Sequence, residues 1–225
     1  MKSQKVTDTR WYDDACGTAL ALELVGERWS LLIVRELMFG ARRFNELRGG
    51  LPGISANVLT QRLAGLEAAG IVQRRKLPPP ANVQVYELTR WGYEAEEPIQ
   101  VLGRWAVRSP AHDPTLPLSA ASLMMSFRTM IDRTAAAAVS IRAGFRLGAD
   151  TFNATVEGGG IAIERGEPGG AFTVESDAAT LASVVYGDRP FADAEAAGEL
   201  TLTGNRAAAE RFVTLFSLPE KVAVE

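Results

Sequence analysis

One stretch of the chain, residues 42–88, constrains the fold more than any other. Inside it, residues 54–70 carry leucines at the four- and three-residue spacing that gives a helix one apolar face. Ser55 is a suitable N-cap for this helix, because its hydroxyl can accept a hydrogen bond from a free amide of the first turn, and Gly70 is a usual stop residue. The recurring apolar residues are Leu59, Leu63 and Leu66. The spacing therefore predicts a helix of about four turns with one side turned toward a core.

A basic β-hairpin is predicted directly after this helix. Residues 71–77 and 83–88 have the pattern of strands, and the tip between them holds three consecutive prolines, which fix φ and donate no hydrogen bond. A shorter helical segment near residue 42 and a sharp turn precede the long helix. Helix, turn, helix and hairpin in this order are the layout of a winged helix-turn-helix, so we expect a mainly α N-terminal domain of this class.

The outward face of the long helix is polar but scarcely charged. Its amide and hydroxyl groups are of the kind that hydrogen-bond base edges in the major groove, while the basic residues of the hairpin and of the preceding helix suit phosphates. The alternative is an ordinary solvated face. The residues that we expect to contact DNA are Arg42, Arg43, Ser55, Asn57, Thr60, Gln61, Arg62, Arg74, Arg75, Lys76 and Asn82.

Charge is divided unevenly along the chain. Residues 1–108 hold fifteen basic and twelve acidic side chains, a net charge of +3, and the remaining residues hold nine against fifteen, a net charge of −6. Because the whole chain carries −3, we expect limited adhesion to DNA of arbitrary sequence. Phosphate binding is expected only in the first part, where residues 42–76 hold seven basic and two acidic side chains.

The most distinctive sequence of the first half lies in three segments: VGERWSLLIVRELMFGARRFNEL, LPGISANVLTQRLAGLEAAGIV and VYELTRWG. Together they resemble the HxlR family of bacterial winged-helix transcription regulators, over residues 29–104 of 225. The resemblance implies a homodimer that binds double-stranded operator DNA, with the terminal helices of the domain as dimerisation elements. Two recognition helices would then meet two half-sites one helical turn apart, so the operator would be palindromic.

The chain is expected to divide near its middle. Prolines interrupt the periodic segments on both sides, so we interpret residues 109–118 as a stiff linker between a domain of residues 1–108 and one of residues 119–225. In the second domain, a helix over residues 120–139 is followed by several alternating strand segments and then by short helices. This order predicts an α+β layer domain with a mostly antiparallel sheet covered by helices.

The segment GELTLTGNRAAAERFVTLF in the second domain resembles the C-terminal piece of the sterol-carrier-protein type-two fold, in which a helix after a strand covers an apolar cavity. The resemblance implies an apolar ligand beneath the helices. Plain core is the alternative, because pockets are built from the same residue types as cores. The candidate lining residues are Phe127, Ile131, Phe145, Phe152, Phe172, Val185, Phe191, Phe212 and Phe216.

Cysteine and histidine are scarce, with one of each, Cys16 and His112. Cys16 aligns with a cysteine near the start of the HxlR family that senses oxidants in some members. Here Gly17 follows it where the family pattern has proline, and Asp13 and Asp14 would raise the pKa of the thiol, so we expect a small buried or interface residue and not a redox switch. No metal-ligand cluster, catalytic constellation or cofactor motif is recognised, so we expect no enzyme, metal or cofactor.

The remaining signals concern location and function. No segment approaches a membrane span, the N-terminus lacks an apolar signal core, and one cysteine cannot make an internal disulfide, so a cytoplasmic location is expected. We interpret the chain as an effector-responsive repressor that binds a palindromic operator as a dimer and senses an apolar small molecule through residues 119–225. One alternative makes that domain only a structural or oligomerisation module. Another is a lipid carrier whose winged helix mediates protein contacts.

Overall fold

Helices and one hairpin form the first half of the chain. The structure, a computed structural model, describes residues 12–223, so the expectation about a signal core in residues 1–11 lies outside the described residues. The elements are α1 (Gly17–Val25), α2 (Ser30–Leu37), α3 (Phe44–Gly49), α4 (Ala56–Ala68), β1 (Val72–Lys76), β2 (Gln84–Leu88), α5 (Arg90–Tyr93) and α6 (Glu96–Ala106). Helices α3 and α4 followed by the β1–β2 wing form the predicted winged helix-turn-helix.

Helix α4 has the bounds that its sequence predicts. The Ser55 hydroxyl accepts a hydrogen bond from the Val58 amide at 3.3 Å, and Gly70 follows the helix at a φ of +71°, where a residue with a side chain would be strained. Its three leucines are at most 1% exposed: Leu59, Leu63 and Leu66. One face of α4 is therefore fixed in the core, and the opposite face is left to solvent.

The helical region after the wing is interrupted earlier than the sequence suggests. The sequence of residues 89–107 predicts a helix that is interrupted near Pro98, but helix α5 ends at Tyr93 and α6 begins at Glu96. Pro98 lies inside the first turn of α6, where a backbone amide has no partner within the helix and its loss costs little. The proline is therefore tolerated, and the break falls before it.

The second half begins with a helix and continues as a sheet with short helices. Its elements are α7 (Ala120–Met130), α8 (Arg133–Ala136), β3 (Ile141–Leu147), β4 (Asp150–Glu157), β5 (Gly160–Arg165), β6 (Phe172–Ser176), α9 (Ala178–Tyr186), α10 (Phe191–Ala196), β7 (Leu200–Gly204) and α11 (Arg206–Val213). The single helix expected over residues 120–139 is wrong. Ile131 adopts an extended conformation and pairs with Phe216, and the Asp132 carboxylate then caps α8.

The sheet is mixed: three of its four strand pairs are antiparallel, in line with the expectation of a mostly antiparallel sheet, and the fourth pair is parallel. Its strand order is β5-β4-β3-β6-β7, and β3 and β6 run parallel. The connection from β5 to β6 therefore crosses the sheet, and it passes so close over Gly144 that a Cβ atom there would lie 2.4 Å from the Gly169 nitrogen. The buried Asn153 side chain holds this crossing by donating to the Glu167 carbonyl at 2.8 Å and accepting from the Gly169 amide at 3.0 Å.

The two halves share one apolar core. Helix α7 packs against both α2 and α6 of the first half, and the Phe39 ring meets the Phe152 ring edge-on at a centroid distance of 5.5 Å. The Ser119 hydroxyl donates to the carboxylate of Glu36, which is 1% exposed. The interpretation of residues 109–118 as a linker between independently folding domains stays a prediction, and these contacts favour a single cooperative unit.

Candidate nucleic-acid interface

The solvent face of α4 presents neutral hydrogen-bonding groups. Asn57 and Gln61 are exposed and lie four residues apart, so they share one side of the helix. Thr60 is exposed too, but its hydroxyl donates back to the Ala56 carbonyl at 2.9 Å, and Ser55 is occupied by its capping bond. The two amide side chains are therefore the groups of α4 best placed to read base edges.

Two of the expected contact residues are engaged with protein groups. The Arg62 guanidinium, 25% exposed, lies 2.8 Å from Glu27 and also donates to the Arg28 carbonyl at 3.1 Å, which ties α4 to the connection between α1 and α2. The Arg42 guanidinium is only 12% exposed and binds the Asp150 carboxylate through both terminal nitrogens. Phosphate would have to displace these partners, so the two arginines are poor candidates for backbone contacts.

The basic wing keeps its exposed cations, but two of them carry acidic partners. Arg74 binds Glu67 at 2.7 Å, and Arg75 binds Glu87 at 2.9 Å, while both guanidinium groups remain about half exposed. The hydrogen bond from Arg75 lowers the pKa of Glu87 in spite of partial burial, so this carboxyl is charged at neutral pH. Lys76 is exposed and has no acidic partner among residues 12–223.

Glu87 is a charged residue of the wing that the local sequence pattern does not single out. A charge count that stops at residue 76 includes β1 but not the opposite strand. In the hairpin register, Glu87 lies opposite Gln73, and Arg75 is the diagonal neighbour on the same face. The signal for this pair is the strand register itself, which follows from aligning residues 72–76 with residues 84–88 around the proline tip.

The other expected contacts lie at the edges of the same surface. Arg43 immediately precedes α3, is 53% exposed, and lies 3.9 Å from Glu46. Asn82 is exposed at the tip of the wing, with a φ of +43° that asparagine tolerates better than most residues. Both side chains are accessible to a duplex that contacts the wing and α3.

Cys16 differs from its expectation in two respects. Among the described residues it is exposed and not buried, and it is the N-cap residue of α1. The Thr18 amide and hydroxyl and the Ala19 amide lower the pKa of the thiol, so the expected raising by Asp13 and Asp14 is wrong. The groups at the N-terminus of α1 therefore have a larger effect on the pKa of this thiol than Asp13 and Asp14 have. Its place at a dimer interface stays a prediction.

The candidate ligand residues of the second half mostly pack against one another. The Phe127 ring stacks on Phe216 at 4.7 Å, and Phe145, Phe172 and Phe212 complete a cluster with neighbouring centroids 5.0–6.2 Å apart. The other four candidates are also buried: Ile131, Phe152, Val185 and Phe191. Core packing thus accounts for the phenylalanine cluster. Phe191 differs, because it also lines a surface cleft of about 390 Å³ between α9 and α11.

Metal sites and membrane spans are missing from the described part of the chain. Between residues 12 and 223, no three His, Cys, Asp or Glu side chains come together as a metal site would require. No helix in the same range combines the length and the apolar character needed to cross a membrane.

Comparison with known proteins finds relatives of the first half of the chain. The profile of the HxlR-like helix-turn-helix family matches residues 24–113. YvaP, an HTH-type transcriptional regulator of Bacillus subtilis (strain 168), is 36% identical over 87 residues, which are 38% of this chain and 80% of YvaP. YodB, an HTH-type transcriptional regulator of the same organism, is 38% identical over 86 residues, which are 38% of this chain and 77% of YodB. The solved reduced form of YodB matches 44% of this chain and 100% of its own, with 34% identity and a TM-score of 0.40. Through its first half, the chain belongs to the HxlR-like helix-turn-helix family of transcription regulators.

Proposed function

We propose that the chain is a dimeric transcription repressor that inserts α4 into the major groove of a palindromic operator and lays its wing along the DNA backbone. The observation that carries the proposal is the exposed amide pair of Asn57 and Gln61 beside the cationic wing strand β1. The amides suit direct reading of bases, since an asparagine or glutamine amide can bind both N6 and N7 of adenine. The wing supplies attraction that does not depend on sequence.

The dimer is proposed from helices α1 and α6. Neither helix has a buried residue, and both expose large apolar side chains. These are Leu20, Leu22, Val101, Leu102 and Trp105, the last 71% exposed. We propose that these side chains form one apolar face that a second copy of the chain covers, since monomeric soluble proteins rarely expose large apolar patches. A two-fold axis through this face would present two α4 helices to two half-sites about 10 base pairs apart, centre to centre.

A DNA-selection experiment tests the proposal. Full-length protein is used to enrich duplexes from a random pool, and we expect inverted repeats among the selected sites. Gln61→Ala should then cost roughly 1–3 kcal/mol on the selected operator and little on random duplex, because a base-edge contact is lost. Thr155→Ala, at an exposed position on β4, is the matched control. Equal losses on both DNAs would place Gln61 on the backbone, and no enrichment at all would refute DNA recognition.

For the second half, we propose a structural role without enzymatic activity. The packed phenylalanine cluster and the core shared with α2 and α6 support it. Repression then follows from operator occupancy, which blocks transcription sterically. A reporter gene placed behind the selected operator tests whether the chain represses or activates transcription: expression should rise when the regulator is deleted.

Effector sensing is the second candidate, and the cleft beside Phe191 is the observation that favours it. Its wall combines Val184, Val213 and Phe191 with the arginines Arg189 and Arg206. A thermal-shift screen of the full chain against fatty acids, sterols and aromatic hydrophobes tests this candidate, because a ligand that binds only the folded state raises the melting temperature. A stabilising compound whose effect is lost in Phe191→Ala would support it, and no shift in any class would exclude sensing of these ligands.

A further inference from the structure

Arg42 belongs to two parts of the molecule at once. Its backbone forms an isolated bridge with the wing: the Arg42 amide donates to the Tyr86 carbonyl at 2.9 Å, and the Tyr86 amide donates to the Arg42 carbonyl at 2.8 Å. The next residue, Arg43, is the N-cap of α3, where the helix-turn-helix begins. The position of residue 42 therefore determines where β2 of the wing lies relative to α3.

The side chain of Arg42 contacts the sheet of the second half. It binds Asp150, the first residue of β4, through Nη1 at 2.5 Å and Nη2 at 3.1 Å. Arg165, the last residue of β5, binds the same carboxylate at 2.6 Å. The three side chains are only 12–22% exposed. A bidentate pair of this kind fixes orientation as well as distance.

Aromatic rings extend the contact to the helices. The Arg165 guanidinium lies 4.6 Å from the centroid of Phe152, which meets Phe39 edge-on, and the Arg128 guanidinium lies 4.6 Å from the centroid of Phe39. Arg128 also binds Glu96 at 2.9 Å, at the start of α6. One continuous set of contacts thus joins α6, the end of α2, the sheet and the wing.

We propose that Arg42 is a positioning residue for DNA binding: the Asp150 carboxylate holds it, and through it the sheet of the second half sets the position of the wing relative to the helix-turn-helix. This inference rests on the proposed function and assigns that function's second half a specific contact. It also replaces the phosphate contact that the sequence suggested for Arg42.

The energetics of the cluster agree with a role in positioning. Two guanidinium groups share one carboxylate, and three of their buried nitrogen atoms have no hydrogen-bond partner among residues 12–223: Arg42 Nε, Arg165 Nε and Arg165 Nη2. Buried donors without partners cost free energy, so the cluster is poorly suited to maximising stability. What the cluster provides is a defined geometry at the junction between the two halves.

The test compares variants of the full chain on a duplex selected by the wild-type protein. Arg42→Gln and Asp150→Asn should each weaken operator binding about tenfold. The double variant should bind the operator as tightly as either single variant, because both substitutions remove the same contact. The slope of log affinity against log salt should stay unchanged in all three. Lys76→Gln, which removes an exposed wing cation, should flatten that slope by about 0.9. Arg142→Gln, an exposed arginine of β3, is the neutral control.

Hydrogen exchange without DNA separates positioning from general destabilisation. In Asp150→Asn, the Tyr86 amide should exchange at least tenfold faster, while amides in the β6–β7 pair keep their protection. If Asp150→Asn does not fold, Asp150→Glu, which displaces the carboxylate by one methylene, is measured with the same expectation.

Three results would overturn the inference. The first is a slope of log affinity against log salt that is as flat in Arg42→Gln as in Lys76→Gln. The others are tighter DNA binding by Asp150→Asn and, in the same variant, an equal loss of hydrogen-exchange protection throughout the chain. If the wild-type protein selects no duplex, the proposed function fails. The exchange experiment still decides whether Asp150 positions the wing.

Discussion

Replacing Glu87 by glutamine should strengthen DNA binding, because the carboxylate occupies Arg75 and repels phosphate. Arg75 binds both Glu87 oxygens, at 2.9–3.0 Å, while its own side chain is 49% exposed and accessible to a duplex. In Glu87→Gln the Arg75 guanidinium no longer has to give up the Glu87 carboxylate when it binds a DNA phosphate. The variant should therefore behave as if it made one more phosphate contact than the wild type.

The size of the effect follows from counterion release. One additional contact steepens the slope of log affinity against log salt by about 0.9. Over the fourfold range from 50 to 200 mM salt, the advantage of the variant should accordingly shrink by a factor of about 3.5. The gain should be the same on operator and random duplex, since phosphate contacts carry no sequence information. The melting temperature should hardly move, because exposed ion pairs contribute little to folding.

Fluorescence anisotropy with a labelled duplex at several salt concentrations measures these quantities. Glu157→Gln, which removes one exposed carboxylate at the end of β4, is the matched control for net charge. If both variants steepen the slope equally, the effect reflects overall charge and not the release of Arg75. An unchanged slope in Glu87→Gln would show that the wing does not contact phosphates through Arg75, and the reasoning would be refuted.

Three other contacts lead to measurable outcomes. Trp105→Asp should shift the protein from dimer to monomer in light scattering, because it places a charge on the apolar face of α6, and a stable dimer in this variant would exclude that face. Alkylation of Cys16 by iodoacetamide should reach half its maximal rate at a lower pH than alkylation of N-acetylcysteine, because the Thr18 amide lowers the pKa of the thiol; an equal or higher midpoint would contradict this. Burial alone would raise the pKa of Asp150, but the hydrogen bond from Arg42 and the charges of both arginines lower it below the ordinary 3.8. Asp150 therefore stabilises the fold above that pH, and the urea-stability difference between wild type and Asp150→Asn should be constant from pH 5 to 7 and shrink below about pH 4. A difference that stays constant down to pH 2 would count against the ion pair.

The sequence predicts the parts of the fold whose causes are local. Ser55, the leucine stripe and Gly70 define α4, and alternation with turn signals defines the strands of the second half. The Arg75–Glu87 pair is nearly local as well, since it follows from a short hairpin register.

The contacts that decide the roles of Arg42 and Phe39 are not local. Asp150 lies 108 positions after Arg42, and nothing in the pattern of either segment specifies that they meet. The parallel pairing of β3 and β6 has the same character, because it depends on a loop crossing over Gly144. Sequence periodicity identifies which face of an element is buried, but it does not identify the element that covers it.

The packing of Phe39 against Phe152 has a consequence for synthesis of the chain. The helix-turn-helix leaves the ribosome before Phe152, whose ring packs against Phe39 and which follows more than a hundred positions later. At translation rates of roughly 5–20 residues per second, the nascent first half waits about 6–23 s before Phe152 can pack against this ring. During that interval Arg42 also lacks its carboxylate partner, so the emerging wing has no side-chain contact to the sheet of the second half. A nascent regulator of this architecture reaches its DNA-binding geometry only after the sheet has been made.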